Sequence, residues 1–461
     1  MSSLPSTLLL ESQVLQRRIM QALSPPSTGR PLTRATLIKR RSMSESVAPF
    51  IIGVYGADLH KLAINTAAVL FASPLAWKDF AATVDVVLAV ATVAVSVLAF
   101  FNSSRFPRVA AVPLISQVLL VSLMSAALWM HFDEISLLNY KRFIGGNIAL
   151  FFGAVFVCNR MWKIRLVWSI WLATALLQSF IAIWYWQEGY LWTSIRSTLI
   201  PATGIRMGYQ CAIAFVYCLF ASGDKNWKSI GMCCLFAFGV LMSGSKMALL
   251  LTVFASCGMF AFEMIKTQKV AALRLILFSI SAVAILQILF VIASSEKEGF
   301  HKYVLDLEHY VSSVQNREDL SEEFFELAWE RPISGSGISA GYYELNGDQM
   351  QTTHSAVQAT FLQLGMLGLS AYLLLVVYLA LIGFRRIWKT RRTADSKFYV
   401  AIATYAAFIM LVLKAEVTSD LPGNRELWLF SGILVHCLER LEWSAWQTRK
   451  ESSPCVELRA A

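Results

Sequence analysis

The residues whose types and spacing could support chemistry cluster between Asn316 and Gly368. They run Asn316-Arg317, a helical stretch ending Ala328-Trp329-Glu330-Arg331-Pro332, then Gly335-Ser336-Gly337, a polar loop to His354, and Gln363-Leu364-Gly365-Met366-Leu367-Gly368. An imidazole that is neutral near physiological pH can accept a proton, and His354 stands where a polar loop meets an apolar run. Gly335 and Gly337 permit a tight turn that could expose backbone amides to a ligand. A second constellation, Ser243-Gly244-Ser245-Lys246, opens another apolar run, and Arg206 opens a third within Thr203-Gly204-Ile205-Arg206-Met207-Gly208. Together with Arg196 and Arg317, these cations are candidates to converge on one anion. A lone Arg or Lys at a span end is more often an interfacial anchor, and a lone His at a loop end is more often structural. Only the ordered combination favours chemistry.

The elements that must position these residues follow from composition. Of 461 residues, 56% are hydrophobic and 15% charged, against about 25% charged in soluble domains. That balance excludes a water-soluble enzyme. The apolar runs are too long, and lack the alternation, for strands of a membrane barrel, so the expected fold is all-α and polytopic. About twelve spans are expected, the first at residues 61–77 and the fourth at 142–158, with one large, partly helical periplasmic loop between spans nine and ten. The organisation is a disordered basic cytoplasmic tail over 1–48, spans one to nine within 49–293, the loop at 294–353, spans ten to twelve within 354–441, and a cytoplasmic tail over 442–461. Phe324, Leu327 and Ala328 give the loop helix an apolar stripe with Leu320, and Pro332 ends it over the bundle mouth.

Charge placement sets orientation. With both termini cytoplasmic, the inner face holds 28 of the 40 Lys and Arg, Lys61 among them, while the 294–353 loop carries a net charge of −8. The net charge of +10 is therefore mostly topological, and the cations left outside, chiefly Arg206, Lys246 and Arg317, are where an anionic lipid would sit. A charge at a helix centre costs about 2.5–3.5 kcal/mol on insertion scales, less at the interface, and a lipid phosphate would offset it. The eight cysteines form no CxxC pair, so neither a metal site nor a disulfide framework is indicated.

The order of an Arg, a Trp about a dozen residues on, Pro-x-x-Gly-x-Gly, a variable loop, a His and a Gly-x-x-Gly helix start resembles the O-antigen ligase and O-antigen polymerase superfamily, including exopolysaccharide polymerases. Ser243-Gly244-Ser245-Lys246-Met247-Ala248-Leu249-Leu250 is similar to its upstream signature, and the likeness covers roughly residues 196–375. The resemblance implies an inverting, metal-independent membrane glycosyltransferase of the bacterial inner membrane. Its donor would be an undecaprenyl-diphosphate-linked glycan and its acceptor a glycan or lipid A-core hydroxyl. His354 would be the general base, and Arg317 would hold the diphosphate, helped by Lys246 and Arg206; Gly335 and Gly337 would shape the loop. No cofactor and no nucleic acid are implied, and polysaccharide-assembly proteins are the expected partners. Two positions depart from the family pattern: Lys246 stands where Arg is common, and Ser355 follows His354 where Asn is common. The alternatives are a twelve-span secondary transporter, for which Lys414 and Glu416 are the best charges, and a flippase for lipid-linked glycans.

Overall fold

The computed structural model describes residues 46–70, 74–103, 106–187, 203–221, 227–243, 245–267, 322, 324–340, 343–345, 349–351, 355–391, 396–418 and 424–452. The helices are α1 (Ser46–Gly56), α2 (Leu59–Leu70), α3 (Pro74–Asn102), α4 (Ala111–Met130), α5 (Glu134–Arg142), α6 (Ala149–Val157) and α7 (Met161–Gln187). Then come α8 (Thr203–Ala221), α9 (Trp227–Met242), α10 (Lys246–Thr267) and the short α11 over residues 324–330. A hairpin of β1 (Tyr343–Leu345) and antiparallel β2 (Gln349–Gln351) follows, and α12 (Ala356–Thr390), α13 (Ser396–Thr418) and α14 (Arg425–Ser452) complete the bundle.

Among the described residues, six stretches are long and apolar enough to cross a membrane: Phe80–Asn102, Arg108–Met130, Glu134–Val157, Met161–Ile183, Ala356–Thr390 and Lys397–Glu416. Their surfaces suit lipid rather than water. Val86, Val90, Val97 and Phe100 of α3 are exposed along its length, an arrangement that only an apolar solvent tolerates. The molecule is thus a multi-pass helical membrane protein. The span expected at 61–77 is not one helix, because α2 ends at Leu70 and α3 begins at Pro74, a favoured residue for a first helical turn. The expected basic tail is outside the described residues up to residue 45, and helix already begins at Ser46. The span expected at 272–293 is outside them too.

α14 forms the centre of the bundle. Leu427, Trp428, Leu429, Phe430, Ile433, Leu434 and Val435 are all fully buried, so this first part of the helix is covered on every side. Gly432 lets α6 approach closely, since a Cβ there would lie 2.6 Å from that of Ala154, the small-residue packing by which membrane helices associate. Trp168 stacks on Tyr217 at 4.2 Å and meets Phe430 edge-on at 4.9 Å, while its indole N–H donates to Thr404 Oγ1 at 3.2 Å. Buried aromatic surface is thereby gained without an orphaned donor.

Contacts of charged side chains gather at two ends of the bundle. At one end Glu439 accepts from the Val109 amide, Arg440 donates to the Asn159 carbonyl, and Arg386 donates to that of Leu438. At the other end lie Asp58, Lys61, Asp85, Arg206, Lys414, Arg425 and Glu426. Lys61 was expected at the first end from charge placement, but its ammonium is 3.6 Å from Asp85 and 3.7 Å from Asp58 at the second. The cause is α1, which precedes Lys61 and packs Gly53 against Ile170 and Gly56 against Leu429. The chain has already traversed part of the bundle before residue 61.

Candidate functional site

The glycine loop and α12 interlock through backbone. α12 is two helical segments that meet at Gly365, whose φ of 66° and ψ of −166° are non-helical; a long apolar segment opens after Gly365 as the sequence suggested, but a first segment already runs to it from Ala356. Breaking the helix frees carbonyls and amides that must find other partners. The carbonyl of Leu362 accepts from the Ser336 amide at 2.8 Å and that of Gln363 from the Gly337 amide at 3.2 Å, while the Met366 amide donates to Pro332 at 2.7 Å. The Gly335 amide turns back to Arg331 at 2.9 Å. The Ser336 and Gly337 amides are therefore spent on splicing the loop into α12, and the Gly335 amide on closing the turn, instead of being open to a ligand. Glycine is required on both sides: a Cβ on Gly335 (φ 73°) would sit 2.5 Å from the Leu364 amide nitrogen, and one on Gly365 would sit 2.8 Å from that of Gly335.

A second loop clamps the first. Asp133 caps α5, accepting from the Ser136 amide at 2.7 Å and its hydroxyl at 2.8 Å, and the same carboxylate accepts from Ser339 at 2.7 Å. Partial burial works against its charge, but these hydrogen bonds win and hold its carboxyl below the ordinary range. His131 packs on Gly337 and lies 3.5 Å from Arg331 through Nε2. The loop helix α11 forms as expected: Phe324 and Ala328 are buried against Phe361 and Leu362, and Pro332 follows it.

Ser355, the residue after His354, is fixed by two bonds. Its hydroxyl caps α12 by accepting from the Gln358 amide and donates to Glu416 Oε2 at 2.7 Å. Glu416 also accepts from the Val357 amide at 3.3 Å and from Tyr372 at 3.5 Å. Lys414, two positions from Glu416 and so about 200° round α13 from it, pairs with Glu426 at 3.4 Å.

Arg206 sits inside a charge network. Its Nη2 and Nε reach Glu426 Oε1 at 2.8 and 3.0 Å, and Nη2 also meets Asp58. Arg425 forks onto Asp85 at 2.9 and 3.0 Å, with Asp58 at 3.4 Å, and lies over the Tyr55 ring. Its approach passes Gly146, in a π-helical turn (Phe143–Ile148) between α5 and α6. Asp58 reaches the network from a left-handed backbone (φ 50°) at the α1–α2 junction. Asp58, His60 and Asp85 bring ligand atoms within 4.8 Å of one another. Arg206, Arg425 and Lys61 already neutralise both carboxylates, so the group is unsuited to a cation.

Ser243 and Ser245 rest on α8 at Gly208, two residues from Arg206. A Cβ on Gly208 would meet those of Ser243 and Ser245 at 2.9 and 3.0 Å, and Ser245 caps α10 by accepting from the Ala248 amide. Arg206 and the helix opened by Lys246 are thus brought together. The side chain of Lys246 and the whole of Arg196, Arg317 and His354 are outside the described residues. Sequence reading missed Asp58, Asp85, Arg425 and Glu426, which the fold joins to Arg206 and to one another across more than a hundred positions; the local signal was acidic residues inside or beside apolar runs.

A multi-pass helical membrane protein with a glycine loop spliced into a broken helix beside buried ion pairs is the class these features define. Residues 231–373 match the family model described as O-antigen ligase, so this stretch is similar to that family. No curated protein matches the chain in a sequence comparison. The matched stretch contains Lys246, Arg317, Gly335, Gly337 and His354, and leaves out Arg206.

Proposed function

We propose that the protein transfers an undecaprenyl-diphosphate-linked glycan to an acceptor hydroxyl at the periplasmic face of a bacterial inner membrane, with inversion and without a metal. The observation that carries this reading is that the family match encloses the ordered set Lys246, Arg317, Gly335, Gly337 and His354. It is supported by the joining, at one end of the bundle, of the elements that bear or border that set: α8, α10, the glycine loop and the start of α12.

In the proposed reaction His354 takes the proton of the acceptor hydroxyl as its oxygen attacks the anomeric carbon. The bond from that carbon to the diphosphate oxygen breaks, and undecaprenyl diphosphate leaves with the electron pair. Arg317 and Lys246 hold the departing charge. Arg206 contributes through Nη1, which has no partner among the described residues, while Asp58 and Glu426 fix the rest of the guanidinium. Glu416, through Ser355, is a positioning residue for the neighbouring His354. The acceptor is a second lipid-linked glycan or lipid A-core, the bilayer is the solvent for both substrates, and both termini face the cytoplasm.

A carrier is the other reading that a broken helix could support, since transporters bind ions at unwound backbone. Here the freed carbonyls of Leu362 and Gln363 are already bonded to Ser336 and Gly337, which favours a structural break. Purified protein, supplied in detergent with lipid-linked glycan and acceptor, tests the proposal. Formation of a longer or ligated glycan with release of lipid diphosphate is expected. Proton- or sodium-driven uptake into proteoliposomes, with no glycan product in detergent, would overturn it.

A further inference from the structure

The short helix α11 presents three separate stripes. At about 100° per residue, Phe324 and Ala328 share the stripe buried against α12. The next stripe round holds Phe325 and Trp329, 50% and 56% exposed, in edge contact with each other at 5.9 Å, Trp329 also touching Phe361 at 5.5 Å. A further step round lie Glu326 and Glu330, both exposed. The aromatic flank can therefore enter an apolar medium without taking the carboxylates with it.

This flank continues onto residues from elsewhere. Ile333 is 69% exposed at the end of α11, and Trp129 and Phe132, 89% and 71% exposed, come from the end of α4. The His131–Arg331 and Ser339–Asp133 contacts bring the two segments side by side. Trp129 occupies the last turn of the candidate span Arg108–Met130, so the patch is level with the point at which a membrane-crossing helix ends. That is where Trp and other aromatic rings settle, at the boundary between headgroups and acyl chains.

We propose that Trp129, Phe132, Phe325, Trp329 and Ile333 form one membrane-docking surface, occupied by the headgroup–acyl boundary of the phospholipid bilayer, which seats the glycine loop at a fixed height. The inference stands apart from the reaction proposed above, because it concerns how the loop meets lipid and not what the site transforms.

The test uses the full-length chain with its eight cysteines changed to alanine, reconstituted in phosphatidylethanolamine–phosphatidylglycerol vesicles. An environment-sensitive fluorophore is placed on Phe132→Cys, Phe325→Cys or Ile333→Cys, on Glu330→Cys as a control for the acidic flank, and on Leu381→Cys as a control for the lipid-facing interior. Quenching by lipids with a nitroxide near the headgroup should be about threefold stronger at 132, 325 and 333 than at 330, with aqueous iodide showing the reverse order. Deep nitroxides should quench the label at 381, which establishes that the variant is inserted. Iodide quenching at 132 and 333 equal to that at 330 would overturn the proposal, as would protection from both quenchers, which would mean that protein covers the patch.

Discussion

Replacing Glu426 by Gln keeps its shape but takes from Arg206 and Lys414 the negative charge they share and replaces one accepting oxygen by an NH2 donor. Breaking a buried ion pair on one side costs about 3–5 kcal/mol, so Glu426→Gln should lower the thermal midpoint in detergent clearly. Glu322→Gln, at an exposed position, should shift stability by less than about 0.5 kcal/mol. Asp133 gives a pH dependence whose sign is fixed by its depressed pKa. Its stabilising bonds to Ser136 and Ser339 are complete above the ordinary Asp range, and are lost as pH falls through the lower folded value. Hydrogen-exchange protection at residues 336–340, relative to the intrinsic rate at each pH, should therefore be high at neutral pH and fall below about pH 4; in Asp133→Asn that acid step should disappear. Glu416→Gln should weaken the hold on Ser355 and the Val357 amide, at about 1–3 kcal/mol. Glycan transfer should fall in that variant with little change in donor affinity, a split measurable as kcat against KM.

At the level of elements, the splice between the glycine loop and α12 depends on positive φ at Gly335 and Gly365. Gly365→Ala or Gly335→Ala would add a Cβ against backbone that cannot move aside, and each should destabilise by about 1–3 kcal/mol and abolish transfer. Gly231→Ala is the contrasting case, because a Cβ there meets nothing within 4 Å and the helix gains propensity. It should leave activity intact; equal loss in all three variants would show that the splice has no special role. The sequence showed that Gly335, Gly337 and Gly365 belong to one ordered motif, since glycine spacing is local information. It did not show that the motif's amides face a helix instead of a ligand, because hydrogen bonds between residues 336 and 362 depend on how the chain folds back. The ion network was hidden for the same reason: Arg206 reads as a cation for an anionic lipid, and Asp58 and Glu426, which hold it, come from distant parts of the chain.

Across the whole molecule, hydropathy located most of the helices because long apolar runs in lipid have few other solutions. It failed at α1 and α2, where Asp58 and Lys61 interrupt the apolar pattern to reach the network. The polar contacts at the two ends predict opposite accessibility. Ser334→Cys should react with a membrane-impermeant thiol reagent added to intact spheroplasts, whereas Lys389→Cys should react only after permeabilisation; the reverse pattern would invert the proposed orientation. The central claim is that His354 removes the acceptor proton in a metal-independent glycan transfer. It is tested most directly by purified His354→Ala given lipid-linked glycan and acceptor in detergent containing a chelator, beside wild type. Wild type should form product, and a variant of unchanged thermal midpoint should form none. Product formed by the variant at the wild-type rate would contradict the account.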